Sequence, residues 1–107
     1  MRIGSTPTHT FVLPEKTDIF KTAKITYCQT SALNSDEMEI ILTKYLDDCE
    51  VSDNTLIVKL TQEETFLFDN NKIVEIQLRV VTVSGDALTS DPIIVTTKAC
   101  FDNEVLE

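Results

Sequence analysis

The chain lacks tryptophan, and its 107 residues include only two glycines, three prolines and one histidine. So little glycine excludes a collagen-like repeat, and Gly4 and Gly85 stand alone, so no glycine-rich phosphate loop is present. Cations are scarce as well: 9 basic residues face 18 acidic ones, for a formal charge of −9. A phosphate backbone needs a basic footprint, so nucleic acid is not an expected partner. Anionic lipid is disfavoured for the same reason, and no apolar run has membrane-spanning length. Met1 to Pro7 carries one positive charge but no apolar core, unlike a signal peptide. Cys28, Cys49 and Cys100 are odd in number, widely spaced and without a C-x-x-C pair. Three free thiols suit a reducing compartment, so the chain is expected in a cytoplasm, or leaving it inside a particle.

What is present is alternation. With 42% apolar and 25% charged residues, residues 1–107 read as one globular domain able to bury a core. Thr8 to Leu13 sets His9, Phe11 and Leu13 against Thr8, Thr10 and Val12, and Pro14 stops it. Thr17 to Phe20 reads as a short link. Ala23 to Gln29 is a second strand, with Ile25 and Tyr27 on one face. Thr30 to Asp36 reads as a loop. From Glu37 to Leu46, Met38, Ile41, Leu42 and Tyr45 fall at helical spacing, with Asp36 and Glu39 as a possible capping box. The same stretch also permits a strand with Met38, Ile40 and Leu42 on one face, and neighbouring short strands favour that choice.

Ser52-Asp53-Asn54 signals a turn. Thr55 to Leu60 follows as a strand with Leu56, Val58 and Leu60 inward. Thr61 can then cap a helix of about two turns by accepting the Glu64 N–H, while the Glu64 side chain reaches back to Thr61. That helix is expected to end near Asp69-Asn70-Asn71. Lys72 to Val83 reads as the longest strand, with Val74, Ile76, Leu78 and Val80 inward and Glu75, Gln77 and Arg79 outward. Ser84-Gly85-Asp86 turns into a last strand through Pro92 to Thr97, where Pro92 belongs at a strand start or an edge. The acidic tail from Phe101 onward reads as mobile. About seven short strands and one short helix make an all-β, antiparallel sandwich of immunoglobulin-like (Ig-like) topology, without the Cys-Trp-Cys signature of antibody domains.

Little in these residues announces chemistry. His9 lies in an alternating strand, is expected on its surface, and no G-x-S-x-G nucleophile motif accompanies it. Asp47, Asp48, Glu50 and Asp53, and separately Asp69, Asn70 and Asn71, offer oxygen ligands but lack calcium-loop spacing, and read as solvated loops. Cys28 and Cys49 are expected to act as small buried hydrophobes. Glu63 and Glu64 are adjacent on a helix and point apart, so they do not form a hydrolytic pair. No catalytic, cofactor-binding or metal residue is assigned, and no cofactor is expected. Exposed strand edges remain, with Thr8 to Leu13 and the strand after Pro92 as the expected ones, together with the outward Ile57, Val81 and Val83.

Several segments resemble a known group: Thr6-Pro7-Thr8-His9-Thr10-Phe11-Val12-Leu13-Pro14, Ile25-Thr26-Tyr27, Leu60-Thr61-Gln62-Glu63-Glu64-Thr65, Val74 to Val80 and Gly85-Asp86-Ala87-Leu88. Together they resemble small uncharacterised proteins of phages and prophages of Gram-positive gut bacteria, over about Gly4 to Leu106. In outline such proteins look like the N-terminal Ig-like domain of phage baseplate upper proteins, an assembly adaptor. The resemblance implies a strand for Glu37 to Leu46 and a tighter turn than Thr30 to Asp36 provides. It implies a non-enzymatic structural or accessory protein of the virion, in tail, baseplate or head. Such a protein would bind other phage structural proteins, form a homo-oligomer, and pass through the host cytoplasm before assembly. The alternative is a phage-encoded acidic inhibitor that sequesters a host defence protein or enzyme.

Overall fold

A computed structural model describes residues 1–14, 19–30, 37–102 and 104–106. The loop expected over Thr30 to Asp36 lies, from residue 31 onward, outside the described residues, as do Thr17 and Asp18 of the expected link. Eight strands form: β1 (Thr8–Val12), β2 (Phe20–Thr30), β3 (Met38–Tyr45), β4 (Cys49–Ser52), β5 (Thr55–Lys59), β6 (Ile73–Thr82), β7 (Ala87–Thr89) and β8 (Ile93–Thr96). They build a three-stranded sheet, β1-β5-β4, and a five-stranded sheet in which β3, β2 and β6 lie side by side. β7 and β8 pair in turn with the two halves of β6. Every strand pairing is antiparallel.

The chain changes sheet between β1 and β2, between β3 and β4 through a 3-10 turn at Leu46–Asp48, and between β5 and β6 through a single helix, α1 (Gln62–Thr65). This is the Ig-like order, with one sheet equivalent to strands B, E and D and the other to C′, C, F and G. The leading strand of that plan is reduced to one parallel bridge between Arg2 and Lys98. Among the described residues no helix is long and apolar enough to cross a membrane.

Alternation places the core. Leu56, Val58 and Leu60 from one sheet meet Ile25, Tyr27, Val74, Ile76, Leu78 and Val80 from the other, and all are buried. Tyr27 on β2 is the largest of the fully buried side chains. Its ring meets Phe68 edge-on at 6.0 Å and His9 at 5.5 Å.

The expected strands are present with four differences. β2 begins at Phe20, so at 11 residues it is longer than the 10-residue β6. β3 is a strand, but its apolar residues do not share one face. Tyr27 pairs with Leu42 while Cys28 pairs with Ile40, so Ile41 is an extra residue in a bulge. Leu42 stays with Tyr27 on the core side, and Ile40 turns outward with Cys28. The last strand is broken at Ser90-Asp91-Pro92, where proline cannot donate to the ladder, and Cys49–Ser52, not among the expected strands, pairs with β5, so eight strands form rather than about seven. Finally, α1 is one turn rather than two. Beyond Thr65 the chain tightens to i→i+3 bonds, Leu67 N–H to Glu64 O and Phe68 N–H to Thr65 O.

The capping box forms as the residues require: Glu64 N–H donates to Thr61 Oγ1 at 3.1 Å, and Thr61 N–H to Glu64 Oε1 at 2.9 Å. The corner after α1 is held by buried polar side chains. The Gln29 amide donates to Asp69 O (3.1 Å) and accepts from Asp69 N–H (2.7 Å). Thr97 Oγ1 donates to Asp69 O (2.6 Å) and accepts from Lys72 N–H (3.0 Å). Among the described residues no buried side-chain polar atom lacks a partner. The tail, expected to be mobile, is tied at Leu106, whose backbone makes two hydrogen bonds with the Gln62 amide.

Candidate functional site

Two places bring together side chains that the core does not explain. The first lies between the sheets. His9 points inward, opposite Val58, and its Nδ1 is 2.9 Å from the Tyr27 hydroxyl. It is half-buried, not on the strand surface as expected. Burial, and then the positive amino terminus, lower the His9 pKa, so the ring is neutral near pH 7 and its Nδ1 can accept a hydrogen bond from the Tyr27 O–H. Burial first, with the charges of Cys49 and Glu64 after it, holds the Tyr27 hydroxyl well above its usual range. Beside them Lys44, opposite Ile25 and so inward, pairs with Glu64. Burial pushes the Glu64 carboxyl up, but the Lys44 hydrogen bond and charge and the Thr61 N–H outweigh it, and the net shift is downward. Glu64 thus caps α1 with one oxygen and binds β3 with the other.

Burial, then Asp48, raise the Cys49 thiol against the pull of Lys44, so the nucleophilic thiolate is disfavoured. Cys49 faces the core, half-buried, as expected of a small hydrophobe. Cys28 does not: it points outward, and burial followed by Glu75 raises its thiol too.

The oxygen-rich loops serve the chain itself. Asp48 Oδ2 accepts Tyr45 N–H at 2.9 Å, at the 3-10 turn that also holds Asp47. Glu50 is exposed on β4. Asp53 and Asn71 occupy left-handed turn positions with φ of 53° and 56°. Asp69 Oδ2 pairs with Lys72 at 3.2 Å. Among the described residues no group of three or more His, Cys, Asp or Glu side chains could hold a metal ion. A depression beside α1, between Thr6, Lys59, Glu63 and Val105, is lined by both charge signs at the surface.

The second place is the outer face of the five-stranded sheet. The register sets its outward residues in rows. Tyr45, Lys24, Arg79 and Thr89 form one row across β3, β2, β6 and β7. Thr43, Thr26 and Gln77 form the next. Ile40, Cys28, Glu75 and Ile94 form the third, across β3, β2, β6 and β8. Ile40, Ile73 and Ile94 are 60%, 53% and 62% exposed, and Met38 and Tyr45 are exposed beside them. Ile73 follows the alternation of β6 to this face, and Ile40 reaches it only because of the bulge. Val81, expected outward, sits at the basic end of the same face beside Ala87; Val83 lies in the exposed turn, and Ile57 is on the other sheet.

The edges are where expected, at β1 and at β8, and also at β3, β4 and β7. Each offers little ladder. β1 lies between Pro7 and Pro14, β4 has four residues, β3 carries the bulge, and Pro92 separates β7 from β8. The broad surface of this molecule is therefore the outer face rather than an edge. No protein-family model, curated protein or solved structure matches the chain.

Proposed function

We propose that this protein is a non-enzymatic assembly module, a structural or accessory component of a phage particle that binds other particle proteins. The observation that carries the binding role is the outer face of the five-stranded sheet, where exposed Ile40, Ile73, Ile94, Met38 and Tyr45 are held outward by β3, β6 and β8. Apolar side chains held outward by strands lose little entropy when a partner covers them. The blunted edges favour contact through this face over strand addition. Assignment to a phage particle rests on the resemblance of Thr6 to Pro14, Leu60 to Thr65 and Val74 to Val80. No cofactor enters this reading.

Mass spectrometry of purified particles tests it. Peptides of this chain are expected at a level comparable to other minor structural proteins. Absence from particles, together with capture of a basic host protein whose binding is lost on adding salt, would replace this reading with the acidic inhibitor.

A further inference from the structure

We propose that the outer face of the five-stranded sheet pairs with the same face of a second copy, about a twofold axis that runs across the strands at the Thr26–Gln77 row. The inference deepens the assembly reading, since it names the face and the partner.

The starting observation is a pair of like charges. Lys24 and Arg79 lie directly opposite each other on β2 and β6, an arrangement that costs stability unless an anion neutralises it. Among the described residues neither makes an ion pair. Four residues along each strand, on the far side of the Thr26–Gln77 row, lies Glu75, the acidic residue of this face. It is half-buried among Cys28, Ile40 and Ile94 and likewise lacks an ion pair among the described residues. The face thus has a basic row and an acidic row at equal distances, about 7 Å, from a neutral central row.

That spacing selects the partner and the register. A twofold axis across the strands reverses each strand over its own copy, as an isologous contact requires. It sets Arg79 against the partner's Glu75, Lys24 over the partner's Cys28, and Ile40 over the partner's Tyr45. A twofold axis along the strands would instead stack Lys24 on the partner's Arg79. A second copy is also the occupant that the charge balance permits. The chain carries −9, but this face carries two cations and one anion, so two copies meet where their mutual repulsion is least. Four strand widths by about eight residues gives roughly 500 Å² per copy, the size of a weak, reversible contact rather than an obligate dimer.

Sedimentation equilibrium of the full chain, from about 5 to 500 µM at low salt, tests the proposal, since that range reaches weak, reversible association. A monomer–dimer equilibrium is expected. Ile40→Glu with Ile94→Glu should abolish it while circular dichroism and thermal unfolding show an intact monomer. Arg79→Glu and Glu75→Arg should each weaken the dimer by about tenfold or more, and the double swap should restore it. A wild-type chain that stays monomeric at the highest concentration overturns the proposal. So does a dimer that Arg79→Glu strengthens, because that is the signature of the other axis. A monomer that is nonetheless found in particles removes this inference and leaves the assembly reading in place. A dimer absent from particles does the reverse.

Discussion

The two sheets share one core but turn different surfaces to solvent. On the three-stranded sheet the outward rows are Thr8 and Lys59, then Thr10, Ile57 and Glu50, then Val12, Thr55 and Ser52. Apart from edge Val12, its single aliphatic side chain, Ile57, is half-buried among polar neighbours. On the five-stranded sheet the outward aliphatics are exposed in two groups, Met38 and Ile40 on β3 and Ile73 and Ile94 on β6 and β8, and the cations stand together between β2 and β6. Inner faces answer to one demand, burial, and so look alike. Outer faces answer to solvent or to a partner, and there the two sheets part. The contrast separates residues that hold the fold from residues free to meet another protein.

The largest effect belongs to the inner face. Ile76→Ala, on β6 between Glu75 and Gln77, should cost about 2–5 kcal/mol in denaturant unfolding, because it leaves a cavity between the sheets. A loss below about 1 kcal/mol would mean that β6 is not the centre of the core.

Next come the buried polar ties that join the corner after α1 to both β2 and the chain beyond β8. Gln29→Leu strands the Asp69 N–H and leaves its C=O to Thr97 alone, and should cost about 1–3 kcal/mol. An unchanged unfolding midpoint would show that water replaces the amide.

Thr61→Ala, which removes the cap linking the three-stranded sheet to α1, should cost about 0.5–2 kcal/mol. Titration sharpens the same region. Glu64 has its pKa lowered by folding, so its contribution is present above the ordinary carboxylate pKa and is lost as pH falls through the lower folded value. His9 also has a lowered pKa, so the unfolded chain takes up its proton first, and stability falls as pH drops below about 6.5. Unfolding followed from pH 7.5 to pH 5.5, a window set by the ordinary histidine pKa near about 6.5, should show this decline, and His9→Asn should flatten it. A flat wild-type profile would mean that His9 takes up its proton as readily in the fold as in the unfolded chain.

The smallest effects lie on the outer faces. Ile57→Lys and Ile94→Lys should each change stability by about 0.5 kcal/mol or less. Ile94→Lys should reduce self-association and Ile57→Lys should leave it unchanged. Equal effects on association would erase the distinction between the sheets.

Much of the fold was legible in the sequence because its signals are local. Leu56, Val58 and Leu60, and Val74 through Val80, alternate with period two, and burial follows that period. The cap was legible because Thr61 and Glu64 are three residues apart and serve each other. The change of face in β3 was not, because the bulge exists only where β3 meets β2 between Tyr27 and Cys28. Nor was the pairing of His9 with Tyr27 or of Lys44 with Glu64, each of which joins distant segments.

By itself, then, the sequence determined which residues of β2, β5 and β6 turn inward, where α1 starts, and that the chain carries a large negative charge. Those properties depend on neighbours within a few positions. Only the tertiary structure decided that Lys24 stands beside Arg79, and Cys28 between Ile40 and Glu75. Such neighbours are set by strand register across about 50 residues of chain, and register is fixed by the burial of all strands at once rather than by any one of them.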